Sequence, residues 1–227
     1  MKNKKVEDLA YFKSSNVRIL VDYNDYNIKD DNRLLIPFSY SQRFGLMNKG
    51  GEVVVEPEYD IISDSCYEES DLIRLGKYYT YGYNRKTKDP STYLGIKWGL
   101  IDSKGNFILD SIYKSIDISD DKKILTVRYM DFQYEVIDVD GVVIVPKGFY
   151  SWIDTFVNGL ARVISMDGEN KKWGIIDELG NQVLSLRYSR VWKFANKNQR
   201  LIPVETIDEH GNTHIGQFDL FTREVSI

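Results

Sequence analysis

The sequence predicts an all-β fold of about five antiparallel meander or hairpin repeats, each of roughly 40 residues. Three observations carry the expectation. A short segment recurs five times along the chain, and each copy holds a turn signal between β-branched and aromatic runs. Helical periodicity is confined to residues 6–13, through Val6, Leu9, Ala10 and Phe12.

The five copies are Phe44–Gly51, Trp98–Gly105, Tyr134–Gly141, Trp173–Gly180 and Ile215–Thr222. Their fifth position is Asn48, Asp102, Asp138, Asp177 or Asp219, and their eighth is Gly51, Gly105, Gly141 or Gly180, with Thr222 as the exception. An Asp or Asn side chain opens a tight turn by accepting hydrogen bonds from backbone N–H groups two residues on. Gly at the fourth turn position supplies the positive φ at the exit. Leu100-Ile101 before the turn and Phe107-Ile108-Leu109 after it make the copy a hairpin, and Ile175-Ile176 with Val183-Leu184 repeat the pattern. A further aromatic follows at the sixteenth residue: Tyr59, Tyr113, Phe149 or Tyr188. Upstream lies a weaker third strand, in Arg33–Phe38, Leu72–Leu75, Lys123–Val127, Gly159–Val163 and Arg200–Val204. Three strands per unit are therefore expected.

The segments Lys97-Trp98-Gly99-Leu100-Ile101-Asp102 and Lys172-Trp173-Gly174-Ile175-Ile176-Asp177 each precede a Gly and a strand ending in Tyr. With Gly159-Leu160-Ala161-Arg162-Val163, they resemble the bacterial WG-repeat (KWG-repeat) proteins. The resemblance covers about residues 17–227; the Phe44 and Tyr134 copies depart further from it, and Tyr134-Glu135 lacks the glycine. It implies a β-repeat interaction scaffold with no catalytic residues to carry over.

Copy starts at 44, 98, 134, 173 and 215 are 54, 36, 39 and 42 residues apart, spacing that suits a propeller-like or toroidal array. Asn16–Tyr23 reads as a third strand without its hairpin, and Arg223–Ile227 breaks off where a third strand would begin. Closure by pairing of the N- and C-terminal strands is the expectation; an open solenoid-like array is the alternative. Residues 1–15 are expected to be an extension with a short helix, and 16–227 the repeat domain.

Composition narrows the function. Hydrophobic residues at 42% and charged residues at 28% fit a folded chain. Thirty basic against 34 acidic side chains, net −4, give no field that would draw nucleic acid or an anionic membrane. No apolar stretch reads as a signal or a membrane span, so a cytoplasmic protein is expected. The single cysteine, Cys66, excludes an internal disulfide framework, and its acidic setting in Ser63–Glu69 disfavours a thiolate.

The turn acids are explained by their turns, and Trp98-Gly99 and Trp173-Gly174 read as core packing rather than ligand platforms. His210 and His214 flank Gly211-Asn212 with no third His or Cys beside them, so a solvated turn is expected rather than a zinc site. No phosphate loop, nucleophile elbow or zinc-protease motif occurs, and no cofactor or metal is expected.

One connection breaks the repeat. From the upstream strand to the hairpin the chain runs 10, 10, 13 and 14 residues in four units, but 26 from Leu72 to Trp98. The excess predicts an inserted tyrosine-rich hairpin at 76–97. Alternation puts Tyr79, Tyr81 and Tyr83 on one face, Arg85, Lys86 and Lys88 at the tip, and Tyr93 on the return. These seven are the candidate partner-binding residues, since tyrosine offers large contact area with few rotors to freeze. The competing reading is that the rings pair across the ribbon and stiffen it. The expected function is a non-enzymatic interaction module for a protein, peptide or glycan; bacterial immunity is a sub-case, and a carboxylate-dependent hydrolase acting in a central channel is the alternative.

Overall fold

The computed structural model describes residues 17–19, 35–62, 72–81, 93–194 and 199–226. The expected N-terminal helix, Cys66 and the hairpin tip lie outside them. None of the described residues is helical. Strands form five four-stranded sheets, each an antiparallel meander in chain order. The first holds β1 (Val17–Ile19), β2 (Leu35–Tyr40), β3 (Arg43–Asn48) and β4 (Val53–Tyr59). The second holds β5 (Ile61–Ile62), β6 (Leu72–Tyr81), β7 (Tyr93–Asp102) and β8 (Phe107–Tyr113). The third is β9 (Ser115–Ile118), β10 (Ile124–Arg128), β11 (Tyr134–Asp138) and β12 (Val143–Val145). The fourth is β13 (Trp152–Ile153), β14 (Leu160–Asp167), β15 (Asn170–Asp177) and β16 (Gln182–Tyr188). The fifth is β17 (Arg190–Val191), β18 (Leu201–Ile207), β19 (Thr213–Asp219) and β20 (Val225–Ser226). The chain divides into two compact units, Met1–Lys114 and Ser115–Ile227.

The expectation of three strands per unit is corrected to four. The extra strand is the short first one, entered one residue after the aromatic that ends the preceding sheet: Tyr59–Asp60–Ile61 and Tyr188–Ser189–Arg190. Backbone bonds fasten the joint, Asp60 N–H to the Gly76 carbonyl and Ser189 N–H to that of Glu205, each at 2.9 Å.

The pairing expected between the N- and C-terminal strands is not seen among the described residues. Val17–Ile19 pairs with Phe38–Tyr40 of β2, taking the short first-strand place of its own sheet rather than acting as a third strand. Val225 and Ser226 pair with Phe218 and Gln217 of β19, in a hairpin nearby in sequence.

The repeated turns form as their chemistry requires. One Asp102 carboxylate oxygen accepts from the N–H groups of Lys104 and Asn106, both at 2.8 Å. The Gly105 N–H donates to the Asp102 carbonyl at 3.0 Å, and Gly105 takes φ +89°. Asn48, Asp138 and Asp177 repeat this geometry. The fifth copy explains why Thr222 replaces glycine. Its turn is one residue longer: Arg223, not Thr222, has the positive φ of 60° and donates to the Asp219 carbonyl at 2.8 Å.

The glycine after the aromatic has a cause the sequence reading did not supply. In the second sheet Trp98 pairs with Tyr113 and Leu100 with Leu109, so β8 carries two extra residues and arches over Gly99. A Cβ on Gly99 would lie 2.6 Å from Ser111 Oγ, 2.8 Å from the Leu109 carbonyl oxygen and 2.9 Å from the Ser111 nitrogen. Gly45 and Gly174 sit under equivalent arches. In the third sheet β12 ends before Pro146, the chain returns to the Tyr134 carbonyl through the Gly148 N–H at 2.9 Å, and position 135 carries a glutamate instead of a glycine. That early exit also shifts the aromatic. Tyr150 is the buried residue, 2% exposed, whereas Phe149, expected to fill the place, is 63% exposed.

Each core lies between consecutive sheets within a unit. Leu35, Leu46 and Val55 of the first sheet meet Ile62, Leu75 and Ile101 of the second. Val136 and Val145 meet Val163 and Ile176, and Ile175 and Tyr188 meet Val204 and Phe218. Trp98 and Trp173 are half-buried at the edges of these layers rather than inside them.

Candidate interaction surface

Among the described residues β6 and β7 form the longest ladder, from Leu72 opposite Asp102 to Tyr81 opposite Tyr93. The inserted hairpin is thus a continuation of the second sheet, five residue pairs beyond Gly76–Trp98. The equivalent pair Ile164–Trp173 in the fourth sheet is followed by three, and Arg128–Tyr134 ends the ladder of the third.

The root is anchored electrostatically. Tyr78 N–H donates to the Asp60 carboxylate at 2.7 Å, and Asp60 pairs with Arg43. Lys77 reaches Glu58 at 3.1 Å and lies 4.7 Å from the Tyr59 ring centre. Burial first, then the Glu58 charge, pushes the Tyr59 phenol above its usual range. Trp98 covers Gly76 across the ladder; a Cβ there would lie 3.2 Å from the indole.

Of the seven residues singled out in the sequence, the described structure locates three. Tyr79 lies across Gly95, whose missing side chain makes room for the phenol, with the Lys97 ammonium 5.3 Å from the ring. Tyr81 and Tyr93 are cross-strand partners. Tyr83, Arg85, Lys86 and Lys88 lie outside the described residues. Tyr78, which the sequence reading passed over, is 46% exposed with its backbone held by Asp60. Alternation placed it on the face opposite Tyr79, the signal that was available for it.

Other candidates resolve locally. The turn carboxylates are spent on their own loops: hydrogen bonds from Asn106, Lys104 and Gly105 outweigh the partial burial of Asp102 and hold its carboxyl below its usual range. His214 Nε2 lies 3.1 Å from the Asp208 carboxylate. That contact, then the Asn212 side chain and backbone, holds Asp208 far below the usual carboxylate range. Asp208–Asn212 is a further turn of the repeated kind, with Gly211 at φ +82°. Among the described residues, no three His, Cys, Asp or Glu side chains converge on a metal position.

The sequence reading missed one charged cluster. Arg162 is 9% exposed; its Nε and Nη2 donate to Asp154 at 2.9 and 2.6 Å, and its Nη1 to the Val191 carbonyl at 2.9 Å. The guanidinium lies 5.4 Å from the ring centres of both Trp152 and Trp173. Arg162 therefore fastens the fourth sheet to the fifth. A charge inside the apolar run Leu160–Ile164 was its only signal.

Among solved structures, the chain resembles a eukaryotic initiation factor at 8% identity and a TM-score of 0.39, over 82% of this chain and 49% of that one. TolB from Acinetobacter baumannii matches at 15% identity and 0.33, over 82% and 48%. A puromycin hydrolase matches at 12% and 0.32, over 85% and 42%. The chain spans half or less of each. No curated protein matches the sequence. The model of the WG containing repeat matches residues 44–69, 98–123 and 173–206, the stretches beginning at Phe44, Trp98 and Trp173 where a strand arches over a glycine. At these three stretches the chain matches the WG containing repeat.

Proposed function

We propose that this protein is a non-catalytic interaction module that holds a protein, peptide or glycan partner along the tyrosine-rich hairpin. The observation that carries the reading is the five-pair extension of β6 and β7, which keeps Tyr78 in solvent while Asp60 fixes its backbone. A rigid aromatic ring that loses little freedom on contact is the kind of residue that anchors interfaces. Tyr79 stiffens the ribbon from the other face, so the two roles weighed for these tyrosines are divided between neighbours. The turn carboxylates, each accepting hydrogen bonds within its own loop, favour this reading over a hydrolase.

The test exploits the register. Lys77 and Lys97 are cross-strand partners, so replacing residues 78–96 with Asn-Gly closes the ladder by a two-residue turn. A random peptide display library and a glycan array are screened against the intact and shortened proteins. Ligands that bind the intact protein should lose at least tenfold in affinity on shortening and on Tyr78→Ser. Equal binding by all three proteins places the surface elsewhere.

A further inference from the structure

Gly51, Gly105, Gly141, Gly180 and Gly211 stand at the fourth position of one recurring turn, all at positive φ between 78° and 89°. The turn between β10 and β11 has the same backbone form. Phe132 N–H donates to the Tyr129 carbonyl at 3.0 Å and Tyr129 N–H to that of Gln133 at 2.8 Å, just as Gly211 donates to Asp208 and Asp208 to Asn212. Here the glycine position holds Phe132, at φ +67°. A β-carbon is strained in that region, so an aromatic residue is favoured over glycine only where its ring is used. The ring is not used for the core, since Phe132 is 55% exposed. Backbone strain kept for an exposed side chain points to a contact made outside the chain.

The ring stands over a cation. Arg128 and Tyr134 close the ladder as cross-strand partners. The guanidinium carbon lies 4.8 Å from the Phe132 ring centre and 5.2 Å from that of Tyr134. Among the described residues no carboxylate ion-pairs with Arg128, and its Nε is buried without a hydrogen-bond partner. Arg162 shows the satisfied arrangement in the next sheet, where Asp154 takes two of its N–H groups. The loop after β12 braces the turn. Lys147 pairs with Asp131 at 2.9 Å and lies 3.9 Å from the Tyr129 ring centre, and Gly148 N–H donates to the Tyr134 carbonyl at 2.9 Å.

We propose that Arg128 and Phe132 form a docking site for an acidic side chain of a partner protein. The guanidinium takes the carboxylate of an aspartate or glutamate through paired N–H groups, and the Phe132 ring lies against the methylenes. A planar guanidinium already held between two rings loses little freedom in making that fork. Burial, above all, pushes the Tyr134 phenol up; Arg128 opposes this, and the charges of Asp117 and Asp154 add to it. With those two carboxylates close by, a singly charged ligand is favoured over a phosphate dianion. The site lies in the unit Ser115–Ile227 and the tyrosine-rich hairpin in Met1–Lys114, so either proposal can fail alone.

The probes are acetyl-Leu-Glu-Leu amide, its Gln counterpart and inorganic phosphate, titrated into the intact isotope-labelled protein. The leucines suit the exposed rings of Phe132 and of Phe149 on the adjoining loop. NMR follows the Arg128 Nε–H and the Phe132 amide. The Glu peptide should shift both signals saturably, and the Gln peptide and phosphate should bind at least tenfold more weakly. Arg128→Lys, which keeps the charge but not the fork, should weaken the Glu peptide at least tenfold. Phe132→Gly should weaken it at least threefold while leaving the urea midpoint equal or higher, because glycine relieves the backbone. Unmoved signals, equal binding of the Gln peptide or of phosphate, or undiminished binding by Arg128→Lys overturns the proposal. A lower urea midpoint in Phe132→Gly also overturns it, by making the ring a structural prop.

Discussion

Gly99→Ala puts a methyl group where β8 crosses β7. All three contacts the new Cβ would make lie under 3.0 Å, and two of them, at 2.8 and 2.9 Å, are to backbone atoms of residues 109 and 111. Ordinary carbon contacts begin about 0.6 Å farther out, so the arch must lift by roughly that distance. It is held on both sides, by Trp98–Tyr113 and Leu100–Leu109, and both flanking residues of β8 are buried. Overpacking of this kind costs about 2–3 kcal/mol. At about 2–4 °C per kcal/mol for a chain this long, the melting temperature should fall by roughly 5–10 °C. Urea unfolding followed by tryptophan fluorescence measures the loss, and Glu135→Ala is the matched control. Position 135 already carries a side chain, so that change should cost less than about 1 kcal/mol, chiefly its hydrogen bond from Tyr129. If Gly99→Ala costs no more than the control, close strand approach is not the reason for the glycine.

Three further outcomes are expected. Asp154→Ala strands a mostly buried guanidinium and should cost about 3–5 kcal/mol in urea unfolding, whereas Arg162→Leu combined with Asp154→Leu should cost less than that single change; a larger loss in the double variant refutes the account. Asp102→Ala should cost about 1 kcal/mol and Asp102→Asn less, because Asn48 performs the same turn in the first copy; equal losses would show that the accepting oxygen is not what matters. The carboxyls of Asp102, Asp208 and Asp219 all lie below their ordinary range when folded, so their stabilisation is present above about pH 4 and lost as pH falls through the folded values. The urea midpoint should drop on acidification, with a shallower drop in Asp102→Asn; a midpoint that rises toward pH 2 would contradict the sign.

What could be read in advance was whatever is encoded within a few residues. The Asp-x-x-Gly turns and their flanking strands follow from local chemistry and are present, and β6 and β7 pair as far as Tyr81 and Tyr93. The short first strands were illegible because two residues such as Ile61-Ile62 or Arg190-Val191 carry no period. They are strands only because the preceding aromatic delivers them beside the next sheet. The role of Val17–Ile19 was misread for the same reason, its partner being chosen by position rather than by composition. Arg162 escaped notice because Asp154, Trp152 and the Val191 carbonyl converge on it only in three dimensions.

The one-residue joints after Tyr59 and Tyr188 put the unit of sequence out of phase with the unit of structure. The matched stretch 44–69 begins in β3, passes through β4 and has already entered the second sheet at β5; 173–206 runs from β15 into β18 in the same way. Each stretch therefore belongs half to one sheet and half to the next, like a brick laid across the seam below it. Copying one such stretch in tandem does not append a finished sheet beside the others. It completes the sheet before it and starts the one after, so every duplication arrives already covalently bonded into its neighbours. A chain enlarged in this way has no seam at which one sheet can be lost without breaking two, and an insertion is tolerated where the extra residues of 76–97 lie, out along a hairpin and away from any joint.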